Sequence, residues 1–313
     1  MTPAPLRHQL RGPDMSDPEW LAWRGQGVGA SDVAAILGIS PWASPWSVWA
    51  TKAGLLAPPE PTAEMEAGHW LELAVGPWFA HRTGLHVAGE QTWCTHPEHA
   101  HHRCTVDGFV FESEHSDIEH ALGVLEIKTS QPGRAWDEVP AHYAAQCLWQ
   151  MHVTGLDRVW VAVLRGRRLD ILEMERDQAE IDFVVSRVDA FWERHVLTGT
   201  PPPVDGHRAT LDALAQVWPE HTPGKAVDID DLAHVLDDWR AAKDEQKAAR
   251  EREKAAAAEL IARLEDAEEG LVAGERAVTW RQQSRTTQCA ACGHTQTSEF
   301  RVLRDAQRQR RQK

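Results

Sequence analysis

Cysteine and long apolar runs are both scarce in this sequence of 313 residues. Five cysteines in a chain of this length do not suit a disulfide scaffold and favour a reducing compartment. No stretch approaches the ~18 consecutive apolar residues of a membrane span. The first twenty residues have no apolar core, so we do not expect a secretory signal. Met15 offers an alternative start, and we expect residues 1–14 to be dispensable.

Positive charge is also in short supply, with 33 Lys and Arg against 47 Asp and Glu and a formal net charge of −14. A strongly acidic chain is by itself a poor candidate for binding nucleic acid, because phosphate contacts need cations. The charge is not spread evenly, however. From Leu271 onward there are nine basic and three acidic residues. The acidic total therefore does not exclude DNA, but it confines DNA binding to a narrow basic path.

Hydrophobic periodicity and turn residues divide the chain into helices and strands. Ser31 and Ser44-Pro45 are each expected to open a helix as the N-cap, and Gly38 and Gly54 to end them. Helices are predicted over 31–37, 44–54, 64–83, 141–153 and 177–197. Strands are predicted over 86–93, 104–112, 123–129, 159–164 and 168–173.

This order predicts an α/β (α+β) core in which helices flank a mixed central sheet. Changes in composition mark the remaining boundaries. We divide the chain into an N-terminal extension (1–19), the core (20–200), a Pro-rich linker (201–230), a helical or coiled-coil arm (231–269) and a basic C-terminal segment (270–313). The basic segment is expected either to contact the DNA backbone or to be a disordered solubilising tail.

The chemically most informative residues are Asp107, Glu126 and Lys128. Residues i and i+2 of a strand share a face, so Glu126 and Lys128 should project together from an apolar strand. Two carboxylates and a lysine suit Mg²⁺ or Mn²⁺ and a water activated for attack on a phosphodiester. The alternative is a solvated ion pair on a surface hairpin, because this spacing also occurs by chance.

Five motifs in order surround that triad. They are RGQGVGASDVAAILG (24–38), SP…W…K-G (44–54), GHWLE (68–72), Asp107-Gly108 with EIK (126–128), and YAAQ…MHVTG (143–155). In this order they resemble the YqaJ-type viral recombinases, relatives of the phage lambda exonuclease in the PD-(D/E)xK nuclease superfamily. The resemblance covers about residues 20–197.

The resemblance implies a restriction-endonuclease-like fold and a set of residue roles. Asp107, Glu126 and the backbone carbonyl of Ile127 would ligate the metal, and Lys128 would orient and activate the attacking water. Glu72 would bind a second metal or a metal-bound water. Arg24 and Ser31 match positions that hold a 5′-phosphate, while Gln146 and Tyr143 match polar residues on the substrate side of the site.

The resemblance also implies an activity and its setting. We expect a Mg²⁺-dependent exonuclease of phage or prophage recombination that digests double-stranded DNA from its ends in the bacterial cytoplasm. A single-strand annealing protein is the expected partner, and a ring-shaped trimer the expected assembly. Two alternatives remain open, namely an endonuclease with the same site and a non-catalytic DNA-binding or assembly protein.

Two other groups of metal-ligand residue types carry weaker signals. The segment 94–104 holds two cysteines and four histidines, which we interpret as a chance enrichment rather than a zinc site. Cys289 and Cys292 with His294 form a knuckle-like turn, where a structural zinc would need a fourth ligand from elsewhere. An iron–sulfur cluster is disfavoured because only two cysteines lie late in the chain.

Overall fold

In a computed structural model, the chain divides into two units, Met1–His221 and Thr222–Lys313. A five-stranded mixed sheet forms the framework of the first unit. The structure describes residues 18–57, 62–114, 118–130, 135–287 and 295–306, and the backbone of 7–10 and 288. The helices of the first unit are α1 (Pro18–Gly25), α2 (Ala30–Ile36), α3 (Pro45–Lys52), α4 (Ala63–Thr83), α5 (Ala141–Thr154), α6 (Gln178–Phe191) and α7 (Arg208–Val217). Its strands are β1 (Arg7–Leu10), β2 (His86–Ala88), β3 (Thr92–Thr95), β4 (Arg103–Val106), β5 (Gly108–Phe111), β6 (Gly123–Ser130), β7 (Arg158–Arg165) and β8 (Arg168–Glu175).

The central sheet has the strand order β2-β5-β6-β7-β8. Strands β6 and β7 are parallel and the other neighbours are antiparallel, so the predicted mixed α/β core is confirmed. Helix α5 supplies the crossover between the two parallel strands, as parallel pairing requires. A separate three-stranded sheet has the order β1-β3-β4.

The two faces of the central sheet are buried against different helices. On one face, Val75 and Phe79 of α4 pack against Leu125, Ile127 and neighbouring apolar side chains. The other face packs against α5 and α6 in the larger cluster, which also takes in α2, α3 and α7. Burial on both faces is what lets β6 hold charged side chains in a fixed position at one end of the sheet.

Two predicted strands are interrupted in the structure. The stretch 86–93 splits into β2 and β3 at a turn where Gln91 has a φ of 56°. The stretch 104–112 splits into β4 and β5 at Asp107. Both breaks arise because the chain passes between the small sheet and the central sheet, a non-local pairing that periodicity does not reveal.

The helix starts follow local chemistry, with one correction. Ser44 caps α3 by accepting a hydrogen bond from Ser47, and Pro45 is its first residue, as predicted. The prediction that Ser31 caps α2 is wrong, because the N-cap is Gly29. Asp32 reaches back to accept from the Gly29 amide at 3.0 Å, which places Ser31 inside the first turn. Helix α1 was not predicted at all.

The predicted linker 201–230 contains a helix that belongs to the first unit. Helix α7 packs on α3, with Ala213 in the larger core cluster. The hydroxyl of Thr210 donates to Ser44 Oγ at 2.7 Å. The first unit therefore ends after residue 221 instead of at the prolines, because this amphipathic helix covers apolar surface of α3.

The second unit consists of a long helix and a small sheet. Helix α8 (Ala233–Leu264) is followed by an antiparallel sheet of β9 (Glu269–Val272), β10 (Glu275–Gln288) and β11 (Thr295–Asp305). The alternative of a disordered tail is therefore wrong for 269–288 and 295–305. Arg281 pairs with Glu268 and Glu269, and Arg301 donates to backbone carbonyls, so part of the basic surplus is engaged within the unit.

Candidate active site

Asp107 is the single residue between β4 and β5. Its Oδ2 accepts a hydrogen bond from the backbone amide of Ile127 at 2.7 Å, which fixes the carboxylate against β6. The following residue, Gly108, pairs in register with Leu125. A Cβ at Gly108 would come within 2.9 Å of Val87 Cγ1, so the chain passes too close to β2 for a side chain without movement of that valine. The Asp-Gly motif thus marks the point where the chain passes from the three-stranded sheet that contains β4 to the central sheet that contains β5.

Glu126 and Lys128 project from one face of β6 and are in contact. The Lys128 ammonium pairs with Glu126 Oε1. The intervening Ile127 packs on the opposite face with α4, as the strand period requires. Glu126 is 2% exposed and Lys128 is 19% exposed at the side chain, so the pair is not the solvated hairpin pair that was the alternative.

Two glutamines of α5 complete the surroundings of Glu126. Gln146 Nε2 donates to Oε1 of Glu126, and Gln150 Nε2 donates to Oε2, each at 2.5 Å. Residues four apart lie on one helix face, so a single face of α5 holds both oxygens of the carboxylate. Gln150 was not among the predicted site residues, although its spacing from Gln146 was a usable signal.

Glu72 reaches the same place from α4. Gln91 Nε2 lies 2.8 Å from Glu72 Oε2 and 3.4 Å from Asp107 Oδ1, so one amide bridges the two carboxylates. His69 Nδ1 lies 3.9 Å from the same Glu72 oxygen. No sequence motif pointed to Gln91, since its role depends on the left-handed turn that interrupts the predicted strand.

The charge at this site is unbalanced. Three carboxylates face the single ammonium of Lys128. Burial raises the pKa of Asp107 well above its ordinary value, and the charges of Glu126 and Glu72 raise it further. Burial and Glu126 likewise raise the pKa of Glu72. Burial alone would lower the pKa of Lys128, but Glu126 and Asp107 outweigh that effect and raise it.

That imbalance fits a bound divalent cation. Repulsion among Asp107, Glu126 and Glu72 is relieved when a cation lies between them, and an all-oxygen donor set suits a hard ion such as Mg²⁺. Lys128 is held in its charged form, so it is equipped to donate hydrogen bonds and not to accept a proton.

A second polar group lies at the junction of α1 and α2. Arg24 Nη2 donates to Ser31 Oγ at 2.9 Å and lies 3.4 Å from Asp32 Oδ1. Lys52 Nζ lies 2.8 Å from Asp32 Oδ2 and donates to the Arg24 carbonyl at 2.9 Å. Burial would raise the pKa of Asp32, but Lys52 and Arg24 outweigh burial and lower it to about 2. Asp32 and Lys52 were in the matched motifs, but no role was predicted for them.

Residues from both groups line one cavity of about 220 Å³. Its lining includes Arg24, Ser31, Glu72, Asp107, Glu126, Ile127, Lys128 and Gln146, which are all but one of the predicted site residues. Tyr143 is the exception. Its half-buried ring lies 4.8 Å beneath the Lys128 ammonium, so Tyr143 reaches the site through that lysine.

Two other predictions have simpler outcomes. Cys289 and Cys292 lie outside the residues that the structure describes, so their proposed zinc site is untested. Within the described residues, Cys94, Cys104 and Cys147 are buried free thiols.

None of the described helices is both long enough and apolar enough to cross a membrane.

Comparison with known proteins gives a family and several relatives. Residues 19–157 match the model of the YqaJ-like viral recombinase domain. The protein YqaJ of Bacillus subtilis (strain 168) is 30% identical in an alignment of 224 residues that covers 69% of this chain and 68% of that protein. An alkaline exonuclease (LHK-Exo) from Laribacter hongkongensis is 25% identical, with a TM-score of 0.47 over 58% of this chain and 93% of that one. Its structure in complex with dAMP gives 22% identity and a TM-score of 0.46 at the same coverage.

Proposed function

The chain belongs to the family of YqaJ-like viral recombinase domains, and on that premise we propose that it is a metal-dependent exonuclease that digests double-stranded DNA from a 5′-phosphorylated end. The family implies a nuclease of DNA recombination. The observation that carries the finer proposal is that one cavity holds both the carboxylate–lysine group and the Arg24–Ser31 pair.

The carboxylate–lysine group would carry the hydrolysis. Asp107, Glu126, Glu72 and the carbonyl of Ile127 would hold Mg²⁺ or Mn²⁺. Such an ion, when bound, lowers the pKa of a coordinated water and neutralises charge on the phosphate. Gln146 and Gln150 fix the Glu126 carboxylate, and the Asp107 carboxylate is fixed by the Ile127 amide. Lys128 donates hydrogen bonds to the attacking water and to the phosphate oxygens as negative charge develops on them.

Arg24 and Ser31 would supply the preference for an end. A guanidinium forks onto phosphate oxygens. The Ser31 hydroxyl lies 2.9 Å from Nη2 of Arg24, so both side chains could bind one phosphate. Binding of a terminal 5′-phosphate there would set which phosphodiester reaches Lys128.

The products would sustain repeated cleavage. Water attacks phosphorus in line with the 3′ oxygen of the terminal nucleotide, and the bond from phosphorus to that 3′ oxygen breaks. The leaving oxygen takes a proton, and the phosphate stays on the shortened strand. Each cut therefore regenerates the 5′-phosphorylated end that Arg24 would bind, and leaves a 3′ single-stranded overhang on the other strand. A single-strand annealing protein is the partner we propose for that overhang, and a ring-shaped trimer is the assembly we propose by resemblance.

The test uses purified full-length chain, Mg²⁺ and a linear duplex that carries a 5′-phosphate on one strand only, with each strand labelled separately. We expect the phosphorylated strand to be digested from its 5′ end and a covalently closed circle to resist. Cleavage of the circle would favour the endonuclease alternative. Retention of DNA with no Mg²⁺-dependent product would favour the non-catalytic alternative.

A further inference from the structure

A second group of titratable side chains lies at the other end of β4 from Asp107. His102 immediately precedes that strand and Asp107 immediately follows it. At ~3.3 Å per residue, the five steps between them correspond to about 16 Å. The group consists of His101, His102 and Asp189 of α6, none of which lines the cavity of the candidate active site.

These three side chains converge on one point. His102 Nε2 lies 2.7 Å and His101 Nε2 3.0 Å from the same atom, Oδ1 of Asp189. One ligand atom from each residue lies within 4.8 Å of the others. Four-coordinate zinc with bonds of ~2.0–2.1 Å separates neighbouring ligands by roughly 3.3 Å, so Asp189 Oδ1 would move away from the two imidazole nitrogens by a few tenths of an ångström to admit an ion.

The donor set differs from that of the active site. Two imidazole nitrogens and one carboxylate oxygen suit zinc and its transition-metal neighbours, whereas Mg²⁺ prefers oxygen alone. His101 and Asp189 retain 25% and 34% side-chain exposure, which leaves a side open for water as the fourth ligand.

The surroundings hold His102 in the orientation that a ligand needs. Its Nδ1 lies 2.9 Å from Nε2 of His152, so the Nε2 atom is left to face Asp189. Partners of this kind fix the tautomer and the ring plane of metal-binding histidines. The His102 ring also lies between His99 and Trp149, each with its centroid 4.7 Å away.

A metal binds an imidazole nitrogen that carries no proton. For His102 Nε2 this requires the ring proton to lie on Nδ1, where it would be donated to His152 Nε2 at 2.9 Å.

We propose that His101, His102 and Asp189 bind a zinc-class transition-metal ion, separate from the active-site cation, that joins the segment before β4 to α6. The backbone of the same segment is hydrogen-bonded to the turn between α1 and α2. Val28 donates to the His101 carbonyl at 2.7 Å, and the Arg103 amide donates to the Val28 carbonyl at 3.0 Å. An ion at this site would therefore stabilise the turn that follows Arg24.

The competing account is a hydrogen-bonded network without metal, in which Asp189 accepts from both imidazoles. A titration of metal-stripped full-length protein with Co²⁺ and Zn²⁺ separates the two. The protein carries Cys289→Ser and Cys292→Ser, so that those thiolates contribute no metal binding. We expect one equivalent of Co²⁺ to give visible d–d absorption, and Zn²⁺ to displace it and raise the thermal unfolding midpoint.

Four further substitutions in that background assign the site. His101→Gln and Asp189→Asn should each weaken Co²⁺ binding at least tenfold and abolish the Zn²⁺-dependent rise in the midpoint. Asp189→Asn keeps an oxygen that can accept the hydrogen bonds of the two imidazoles. It therefore tests metal binding even if His101→Gln does not fold. His81→Gln, at an exposed histidine of α4, and Asp107→Asn should bind Co²⁺ normally.

Two results would overturn the proposal. One is the absence of stoichiometric Co²⁺ binding to the protein with His101, His102 and Asp189 intact. The other is binding that Asp189→Asn leaves unchanged. Normal Co²⁺ binding by Asp107→Asn would show that the ion does not bind at the active site. This result does not depend on whether the parent protein is a nuclease, so the metal site and the proposed function are tested separately.

Discussion

Arg24 and Ser31 are joined by a hydrogen bond of 2.9 Å from Nη2 to Oγ across the turn between α1 and α2. Asp32, the residue after Ser31, forms an ion pair with the Arg24 guanidinium. Lys52 forms a second ion pair with Asp32 and offsets its charge. The guanidinium also lies 5.1 Å from the ring centroid of Trp20. An arginine restrained in this way loses little further freedom on binding a phosphate, which would favour the role proposed for Arg24 at a 5′-phosphorylated end.

Replacement of Arg24 by Gln should abolish the preference for a 5′-phosphate. The variant loses the fork of donors to the phosphate but keeps the carboxylates, so hydrolysis continues at a reduced rate. The measurement is the ratio of initial rates on 5′-phosphorylated and 5′-hydroxyl duplexes, which should fall to about one. Arg167→Gln, in the exposed turn between β7 and β8, is the matched control. A ratio that stays at the parent value in Arg24→Gln would exclude Arg24 from the phosphate site.

Asp107→Asn should abolish cleavage and stabilise the metal-free protein. The carboxylate is destabilised in its charged form by burial and by Glu126 and Glu72, so its neutral isostere removes repulsion. In EDTA we expect the unfolding midpoint to rise by ~2–4 °C, the shift that about 1 kcal/mol produces in a domain of this size. Added Mg²⁺ should raise the midpoint of the parent protein more than that of the variant. A lower midpoint in EDTA would contradict the charge imbalance described above.

Lys128→Ala should also abolish cleavage, with the opposite effect on stability. Without the ammonium, Glu126 is a buried carboxylate that keeps only its two glutamine partners. Loss of one partner of a buried ion pair costs up to about 3–5 kcal/mol. We expect denaturant unfolding in EDTA to show a clear loss of stability, partly recovered with Mg²⁺, and a circular dichroism spectrum like that of the parent. Near-normal digestion by this variant would remove Lys128 from the reaction.

The contribution of Asp32 to the stability of the first unit should disappear in acid. Its pKa is about 2 in the folded protein, below the ordinary 3.8. A lowered folded-state pKa stabilises the protein above pH 3.8, and this contribution disappears as the pH falls from 3.8 to about 2. At ~1.4 kcal/mol per pKa unit, Asp32→Asn should lose about 2–3 kcal/mol at pH 5 and little near pH 2. Urea unfolding at several pH values measures the difference. Asp212→Asn, in the exposed ion pair with Arg208, is the control variant.

Gly27 should tolerate no side chain. A Cβ there would lie 2.4 Å from the backbone oxygen of His101, so the turn after α1 would have to separate from the segment before β4. We expect Gly27→Ala to lower the unfolding midpoint and the 5′-phosphate preference together. Gly25→Ala is the control, because a Cβ at Gly25 meets nothing within 4 Å. Equal stability of the two variants would show that the contact between these segments is dispensable.

Local chemistry determined a large part of this protein from its sequence. The two-residue period of a strand placed Glu126 beside Lys128, and Ser44-Pro45 specified the start of α3. The mixed α/β class followed from the order of helices and strands. These features depend on neighbours within a few positions, so a sequence pattern records them directly.

Tertiary structure alone decided which distant residues meet. Asp107 lies at the end of β4 because the chain changes sheets there, and Gln91 bridges Glu72 and Asp107 because a left-handed turn points it inward. Asp189 meets His102 from 87 positions away. Such contacts form only when sheet order and helix packing are complete, and no local periodicity carries that information. The sequence alone therefore determined most of the core helices and strands and the chemistry of β6. The packing of α4, α5 and α6 on the sheets decided the partners of each charged group.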